Sequence, residues 1–187
     1  MTVTYHAGRR IQGTQADFDG TPAVSGGWKE VGRTTLGSAG DTIDVTSLPD
    51  KRYYMVLTDI IASGTVGIRH RLGNSSIDTG SNYADRNSVD GGSDGTNTSG
   101  TAIGVGGGGS TGGEFFNCFV INNASNEKLF IIHSVKQNTA GAGTAPRRKE
   151  VVGKWSNTSN QINIVEYLQS EAGSFDTGSF IKVWGSN

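Results

Sequence analysis

The residue types that most often do chemistry are few in this sequence and stand far apart. Its three histidines, His6, His70 and His133, have no histidine or cysteine at metal-binding spacing, so a zinc or iron site is not indicated. The single cysteine, Cys118, lies in the apolar stretch FFNCFVI. A buried, inert thiol is expected there instead of a nucleophile, and one cysteine allows no intrachain disulfide.

Two glycine-rich segments resemble ligand loops without being complete. Residues 104–112, GVGGGGSTG, look like a phosphate cradle, but no Lys-Ser/Thr pair follows and no helix begins there. Residues 90–95, DGGSDG, resemble a calcium loop with Asp90 and Asp94 as ligands, but Thr101 stands where the bidentate Glu is expected. Turn chemistry explains the second segment better, which leaves Asp90 and Asp94 as a weak calcium candidate.

No arrangement of side chains indicates catalysis. The nucleophile-elbow pattern GxSxG is absent, and nothing selects a catalytic pair from the 17 acidic residues. The sequence therefore predicts a protein that is not an enzyme, with no catalytic residues, no cofactor and no metal beyond the weak calcium candidate.

Sugar binding is a more serious alternative than catalysis for a loop of this chain. Lectin-like sandwiches use Asn, Asp and Gly-rich loops with an aromatic ring that stacks on the sugar. Asn82, Tyr83 and Asp85 supply these types beside the DGGSDG segment, and they form the predicted glycan contact. Ordinary loops also carry them, so the alternative of a plain turn region stays open.

Composition favours a single domain rich in strands and loops. The hydrophobic fraction is 34%, below the roughly 45–50% of ordinary globular chains, and glycine reaches 29 residues. A net charge of −1 gives no basic face for nucleic acid. No apolar run reaches the ~18 residues of a membrane span, and the N-terminus has no signal-peptide pattern, so neither a membrane nor Sec-type export is expected.

The periodicity of the apolar residues predicts an all-β protein, an antiparallel β-sandwich of jelly-roll type. About ten strand-like segments are separated by turn signals, and none has a helical period. Strands are expected at 28–36 with a bulge at Gly32, at 42–45, at 53–62, at 65–72, at 115–122, at 128–135 and at 147–155. The run 53–62 predicts a strand that is buried on both faces or lies in a sandwich core.

The last third of the chain has the clearest alternation. Residues 161–168 predict a strand with Ile162, Ile164 and Leu168 on one side, and residues 179–185 predict a strand with Ile181 and Val183 inward. The loop between them reads as a turn region, so the two strands are expected to form a hairpin.

The domain boundaries follow from composition. Residues 1–27 have no sustained period and form the predicted extended N-terminal arm, and residues 28–187 form the sandwich with long Gly-rich loops at 73–113 and 137–145. An arm without a core of its own is expected to lie against a neighbouring subunit. The predicted subunit-interface residues are Arg9, Arg10, Ile11, Phe18, Arg69 and Arg71.

Several short blocks of the sequence resemble a known group of proteins. The blocks are WKEVGRTTL at 28–36, GDTIDV at 40–45, GSNYA at 80–84, GKWSNTS at 153–159 and the closing segment 178–185. Together they are similar to uncharacterised β-sandwich structural proteins of marine tailed bacteriophages and related viruses. The resemblance covers about residues 28–185, and the chain departs from it in the Lys-Val-Trp that precedes Gly185.

The resemblance implies a virion component: a capsid decoration, cement or minor capsid subunit. It implies a homo-oligomer, with a trimer as the first expectation, that contacts other virion proteins such as the major capsid or tail proteins. The chain would be made in the host cytoplasm and end in the virion. The alternative is a tail-fibre or receptor-binding module that recognises a host surface glycan. A free lectin or hydrolase is the least favoured reading.

Overall fold

The structure, a computed structural model, describes residues 27–107 and 112–187. The described chain is all-β, with fourteen strands and no helix. The predicted N-terminal arm, with Arg9, Arg10, Ile11 and Phe18, lies outside the described residues. The strands are β1 (Lys29–Thr35), β2 (Thr42–Val45), β3 (Tyr53–Ser63), β4 (Gly67–Asn74), β5 (Ser76–Ile77), β6 (Tyr83–Val89), β7 (Gly95–Gly100), β8 (Ile103–Gly107), β9 (Gly112–Ile121), β10 (Lys128–Lys136), β11 (Arg147–Trp155), β12 (Ile164–Gln169), β13 (Ser174–Phe175) and β14 (Phe180–Ser186).

The strands form two antiparallel sheets that pack face to face, which confirms the predicted β-sandwich. The larger sheet has the order β1-β14-β3-β9-β10-β11-β6-β7, and β13 pairs with β3. The smaller sheet has the order β2-β12-β4-β5, and β8 pairs with β4. The finer assignment to a jelly roll stays a prediction.

The core lies between the sheets and follows from strict alternation. In β3 the even-numbered side chains from Tyr54 to Ala62 are buried, and in β10 every second residue from Lys128 to Lys136 is buried. Successive side chains of a strand point to opposite faces, so each strand gives one row to the core. The largest fully buried side chains include Trp155, Tyr54, Tyr83, Tyr167 and Phe116.

Most strand predictions are confirmed within two or three residues. The predicted bulge is present, because the register between β1 and β14 shifts between Glu30 and Gly32. A Cβ at Gly32 would lie 2.5 Å from Val45 Cγ1, which explains the glycine there. Ile181 and Val183 are fully buried, as predicted. The run 53–62 is a core strand of the sandwich, but it is not buried on both faces.

Two predictions about the chain path are wrong. The stretch 73–113 was expected to be irregular except for a possible strand at 101–105, which β8 confirms, but it also contains β5, β6 and β7. These strands are short and polar and are built by backbone pairing, so their side chains show little alternation. The strands of the last third do not form a hairpin either. They lie in different sheets, β12 beside β2 and β4, and β14 beside β1 and β3.

The inward face of β12 also differs from the prediction. Val165 and Tyr167 are fully buried and Leu168 is only partly buried. Ile162 and Ile164 are buried as expected, but Ile162 precedes the strand. The alternation therefore changes phase at Ile164–Val165, where the chain enters the sheet. A one-residue change of phase moves the inward row to the other set of residues.

Candidate functional site: an apolar sheet face and a polar cleft

The outer face of the larger sheet is unusually apolar for a surface that no described part of the chain covers. Nine large hydrophobic side chains are 38–57% exposed. They are Trp28, Tyr53, Ile61, Phe115, Phe119, Leu129, Ile131, Val135 and Val152. All except Trp28 belong to the outward rows of four neighbouring strands, β3, β9, β10 and β11. We call this set the outer face.

The register of the strands makes the outer face continuous. Met55 pairs with Phe119, Phe119 with Ile131, and Ile131 with Val152. Paired residues of antiparallel strands have Cβ atoms ~5 Å apart, so this row is an unbroken apolar band across four strands. Trp28 packs edge-on against Phe119, with ring centroids 6.2 Å apart. The described chain therefore begins on this face.

The exposed area is large enough to matter. At roughly 150–250 Å² for a fully exposed large side chain, the nine exposed fractions leave on the order of 700 Å². Monomeric proteins rarely expose apolar patches beyond a few hundred Å², and larger patches mark interaction sites. The outer face is thus a candidate protein–protein interface.

A second feature lies on the inner side of the same sheet. Between β8 of the smaller sheet and the strands β6, β9, β10 and β11 is a cleft of about 520 Å³. Five basic and three acidic side chains line it, with no aromatic residue. We call it the polar cleft. The polar cleft places charged side chains on the inner side of the sheet, where the core would continue. The outer face does the opposite and exposes apolar side chains.

The two buried carboxylates of the polar cleft are held by neutral donors. Glu114 Oε2 accepts the backbone N–H of Gly107 at 2.8 Å, and its Oε1 accepts the Ser134 hydroxyl at 3.1 Å. Asp85 Oδ1 accepts the side-chain amide of Asn87 at 2.9 Å. Both acidic residues are less than 10% exposed. Burial raises the pKa of Glu114, although these donors and the nearby lysines oppose the shift.

Basic side chains stand beside these carboxylates on the same sheet face. Arg147 pairs with Lys136 across β11 and β10, and Lys136 pairs with Glu114 across β10 and β9. Lys149 lies one inward position from Arg147 and opposite Ser134. Burial lowers the pKa of Lys149, and the charges of Asp85 and Glu114 oppose that shift. No ion pair joins Lys149 to a carboxylate in the described part of the chain.

Two glycines of β8, Gly104 and Gly106, form part of the wall of the polar cleft. A Cβ at Gly106 would lie 2.3 Å from Glu114 Oε1, so Gly106 allows that carboxylate its position. A Cβ at Gly104 would meet only Lys149 Nζ, at 3.8 Å. The wall of the cleft opposite the charged groups is therefore bare backbone, closed by Glu114 in front of Gly106 and able to accept an added Cβ only at Gly104.

The predicted glycan residues divide between core, turn and cleft. Tyr83 is 1% exposed, and its hydroxyl donates to the Leu72 carbonyl at 2.9 Å, so its ring is a core residue. The structure corrects the expectation that Tyr83 stacks on a sugar. Asn82 donates its amide to both carboxylate oxygens of Asp78, at 3.1 and 2.9 Å. Asp85 alone of the three reaches the polar cleft.

The weak calcium candidates face arginines. Asp90 Oδ1 accepts the backbone N–H of Arg148 at 2.9 Å, and its Oδ2 lies 3.6 Å from Arg147 Nε. Asp94 Oδ2 lies 3.1 Å from Arg86 Nη1. Guanidinium groups beside both carboxylates are the wrong surroundings for a cation. In the described residues, no three His, Cys, Asp or Glu side chains gather where a metal ion could bind.

The predicted interface arginines of β4 have different roles. Arg71 donates through Nε to the Thr101 carbonyl at 3.0 Å and lies 3.7 Å from Glu166, so it is tied to its own chain. Arg69 is exposed and lines the mouth of the polar cleft. Neither is part of the outer face. Cys118 is fully buried, as expected, and burial raises the pKa of its thiol to about 12.

Sequence reasoning missed both surfaces as sites. A signal for the outer face was present, because FFNCFVI and LFIIHSV are apolar in both phases of the two-residue period. The signal for the polar cleft was weaker: Arg147, Lys149 and Asp85 occupy inward positions of strands otherwise lined by Val151 and Trp155.

Comparison with protein-family models, with curated proteins and with solved structures finds no match for this chain. Within residues 27–107 and 112–187 there is also no helix of the length and apolarity needed to cross a membrane.

Proposed function

We propose that this chain is a non-enzymatic structural subunit of a virion, a capsid decoration, cement or minor capsid protein that assembles with copies of itself. The observation that carries the assembly part is the outer face, with its continuous apolar band. The virion part is supported by the sequence blocks that resemble phage structural proteins, such as WKEVGRTTL at 28–36.

The occupant of the outer face that we infer is a second copy of this chain. A standard interface buries about 800 Å² on each partner, close to the apolar area exposed here. The band from Met55 to Val152 carries no charge, so one copy can meet another without burying unpaired ions. Three copies is the expected number, and the N-terminal segment 1–27 is expected to add contacts between them.

Sedimentation velocity tests the assembly directly. The wild-type chain is expected to sediment as a homo-oligomer in the micromolar range. Ile131→Lys places an ammonium in the middle of the apolar band and should release folded monomers. Ala172→Lys, in the exposed loop between β12 and β13, adds the same charge elsewhere and should sediment like wild type. A wild-type chain that stays monomeric at all concentrations would overturn the assembly proposal.

Mass spectrometry of purified particles tests the virion role. In a virus culture that expresses this chain, the protein should appear in particles at a fixed ratio to the major capsid protein. A chain that is abundant in the lysate and absent from the particles would contradict the role.

A second candidate function, recognition of a host surface glycan, is favoured by the polar cleft. Its volume and its mixture of charged and amide side chains suit a small hydroxylated ligand. Such a module would sit on a tail fibre or another exposed part of the particle.

A further inference from the structure

We infer that the polar cleft binds a saccharide residue that carries a carboxylate, with Lys149 and Arg147 on the acid group and Asp85 with its neighbouring amides on the hydroxyls. This inference deepens the second candidate function, and it is independent of assembly through the outer face. The two sites lie on opposite sides of the larger sheet.

The size and wall chemistry of the cleft limit the class of ligand. About 520 Å³ accommodates one or two sugar rings, within the range of small-molecule sites. The lining has no aromatic ring, and its apolar members, such as Ile68, Val89 and Ala102, are few. A flat aromatic or lipid-like ligand would leave the charged groups desolvated without partners. The occupant must therefore be polar over most of its surface.

The charge balance favours a singly charged anion. Five basic side chains against three acidic ones give the cleft a positive excess, which disfavours a cation. A phosphate dianion would stand close to Asp85 and Glu114 and be repelled by both. A carboxylate needs only one or two donors, and Lys149 is a half-buried ammonium without an ion pair in the described part of the chain. Sugar hydroxyls would use the other groups.

The acceptors are already oriented for hydroxyl donors. Asp85 is held between the side-chain amides of Asn87, at 2.9 Å, and Asn97, at 3.3 Å. These bonds fix the carboxylate and leave lone pairs on its oxygens. An alternating set of carboxylate and amide groups can both accept from and donate to neighbouring hydroxyls of one ring. Positioned groups of this kind cost little reordering on binding.

The bare wall of β8 explains how a ring would enter. Gly104 and Gly106 place backbone opposite Lys149 and Glu114, and the Cβ position of Gly104 lies 3.8 Å from the ammonium, at ordinary contact distance. A larger side chain at 104 would fill the room in which the ring lies. The same position therefore offers a way to block the cleft without removing any charge.

Protein-observed NMR titration of the full chain is the test, with methyl β-D-glucuronide as the probe and methyl β-D-glucoside as its neutral match. The glucuronide should shift amide signals of β6, β8 and β11 saturably. The glucoside should bind about ten-fold more weakly, as expected for the loss of a charge-assisted hydrogen bond.

Three variants locate the site. Lys149→Met and Gly104→Leu should each weaken glucuronide binding about ten-fold or more. Lys154→Met, which removes the same ammonium from a residue outside the cleft, should keep wild-type binding. The inference is overturned if the glucuronide gives no saturable shifts, if Lys149→Met and Gly104→Leu both bind it normally, or if inorganic phosphate displaces it with equal affinity.

Sedimentation of the same variants separates the two proposals. Lys149→Met and Gly104→Leu should assemble like wild type, since neither touches the outer face. Lost glucuronide binding with intact assembly would support the cleft as the site, and absent binding in wild type would leave the assembly result unchanged.

Discussion

The two sides of the large sheet invert the ordinary relation between polarity and exposure. On the outer side, Phe119 and Ile131 are 43% and 51% exposed. On the inner side, near the β6–β11 end, Glu114 and Lys136 are 4% and 3% exposed. Folding alone favours the opposite arrangement, because burial of apolar area stabilises the fold and burial of charges destabilises it. Both departures therefore indicate functions other than stabilising the isolated fold.

The inversion differs in kind between the two sides. The outer face is almost wholly apolar and includes a concavity of about 740 Å³ lined by Trp28, Phe119 and Ile131, which suits a partner that removes it from water as a whole. The polar cleft is heterogeneous, and its two buried carboxylates, Asp85 and Glu114, each have donors, such as Gly107 N–H for Glu114. The outer face would lose its exposed apolar area only when a partner covers it. The polar cleft has its hydrogen bonds in place without a ligand.

The largest expected difference comes from two phenylalanines of one strand. Phe116 is fully buried and Phe119 is 43% exposed. Phe116→Ala should lower the free energy of unfolding by about 3–5 kcal/mol, because it leaves a cavity in the core. Phe119→Ala should cost the dissociated monomer only about 1 kcal/mol, since much of that ring is already in water. Urea unfolding at protein concentrations below the association midpoint measures both.

The comparison of the faces would break down under one outcome. If Phe119→Ala destabilises the monomer as much as Phe116→Ala does, the outer face is part of the monomer core and not an interface. A chain that unfolds at the same urea concentration in both assembled and dissociated states would agree with that outcome.

How far the sequence leads also differs between the faces. The strands β3, β9, β10 and β11 could be predicted because their alternation is local. The sequence could not predict which of their two apolar rows lies inward, because that depends on where the smaller sheet packs. The polar cleft was harder still, since Asp85, Glu114 and Lys149 come from three strands and meet only through pairing. Glycan binding was expected at Tyr83, whose ring is needed in the core.

The strand β7, GTNTSG, shows a second limit. It has no apolar residue and five of its six residues are exposed, so its sequence reads as a loop. Its pairing with β6 is a backbone interaction at the sheet edge, from Tyr83↔Gly100 to Asn87↔Gly95. Backbone pairing carries no side-chain period, and a long glycine-rich stretch can therefore conceal edge strands.

A second prediction concerns His70, the one buried histidine among the residues that the structure describes. His70 is fully buried between the rings of Phe130 and Tyr167, with centroids 5.9 and 4.8 Å away. Burial lowers its pKa from 6.5 to about 4, and the backbone at Glu166 works weakly in the opposite direction. The neutral ring is therefore favoured in the fold, so its contribution is present above pH 6.5 and is lost as the pH falls from 6.5 towards 4.

The expected loss from His70 is about 2 kcal/mol between pH 7 and pH 5. His70→Leu should remove this part of the pH dependence, so that the stability of wild type relative to the variant falls by about 2 kcal/mol between pH 7 and pH 5. Urea unfolding at pH 7, 6 and 5 gives the difference. Parallel pH profiles for the two proteins would contradict the assignment and show that the imidazole is not the group that resists protonation.

A third prediction uses two glycines of β8 that flank Val105. Gly106→Ala should lower the free energy of unfolding by about 1–3 kcal/mol, because its Cβ would collide with the Glu114 carboxylate and the Phe116 ring, 2.3 and 2.7 Å away. Gly104→Ala should stay within about 0.5 kcal/mol of wild type. Thermal and urea unfolding of both variants measure the effect. Equal behaviour of the pair would mean that the cleft wall is not fixed as the structure shows it.

The smallest expected effect belongs to an ion pair at the margin of the outer face. Lys154 Nζ lies 2.8 Å from Glu127, and the two side chains are 44% and 39% exposed. Solvent screens such a pair, so Lys154→Met should change the free energy of unfolding by no more than about 0.5 kcal/mol. A double-mutant cycle with Glu127→Gln isolates the pair energy. A coupling well above 1 kcal/mol would mean that water is excluded from this margin even in the monomer. The charged margin would then belong to the interior, whereas a weak coupling leaves the apolar band as the part of the outer face that we propose drives assembly.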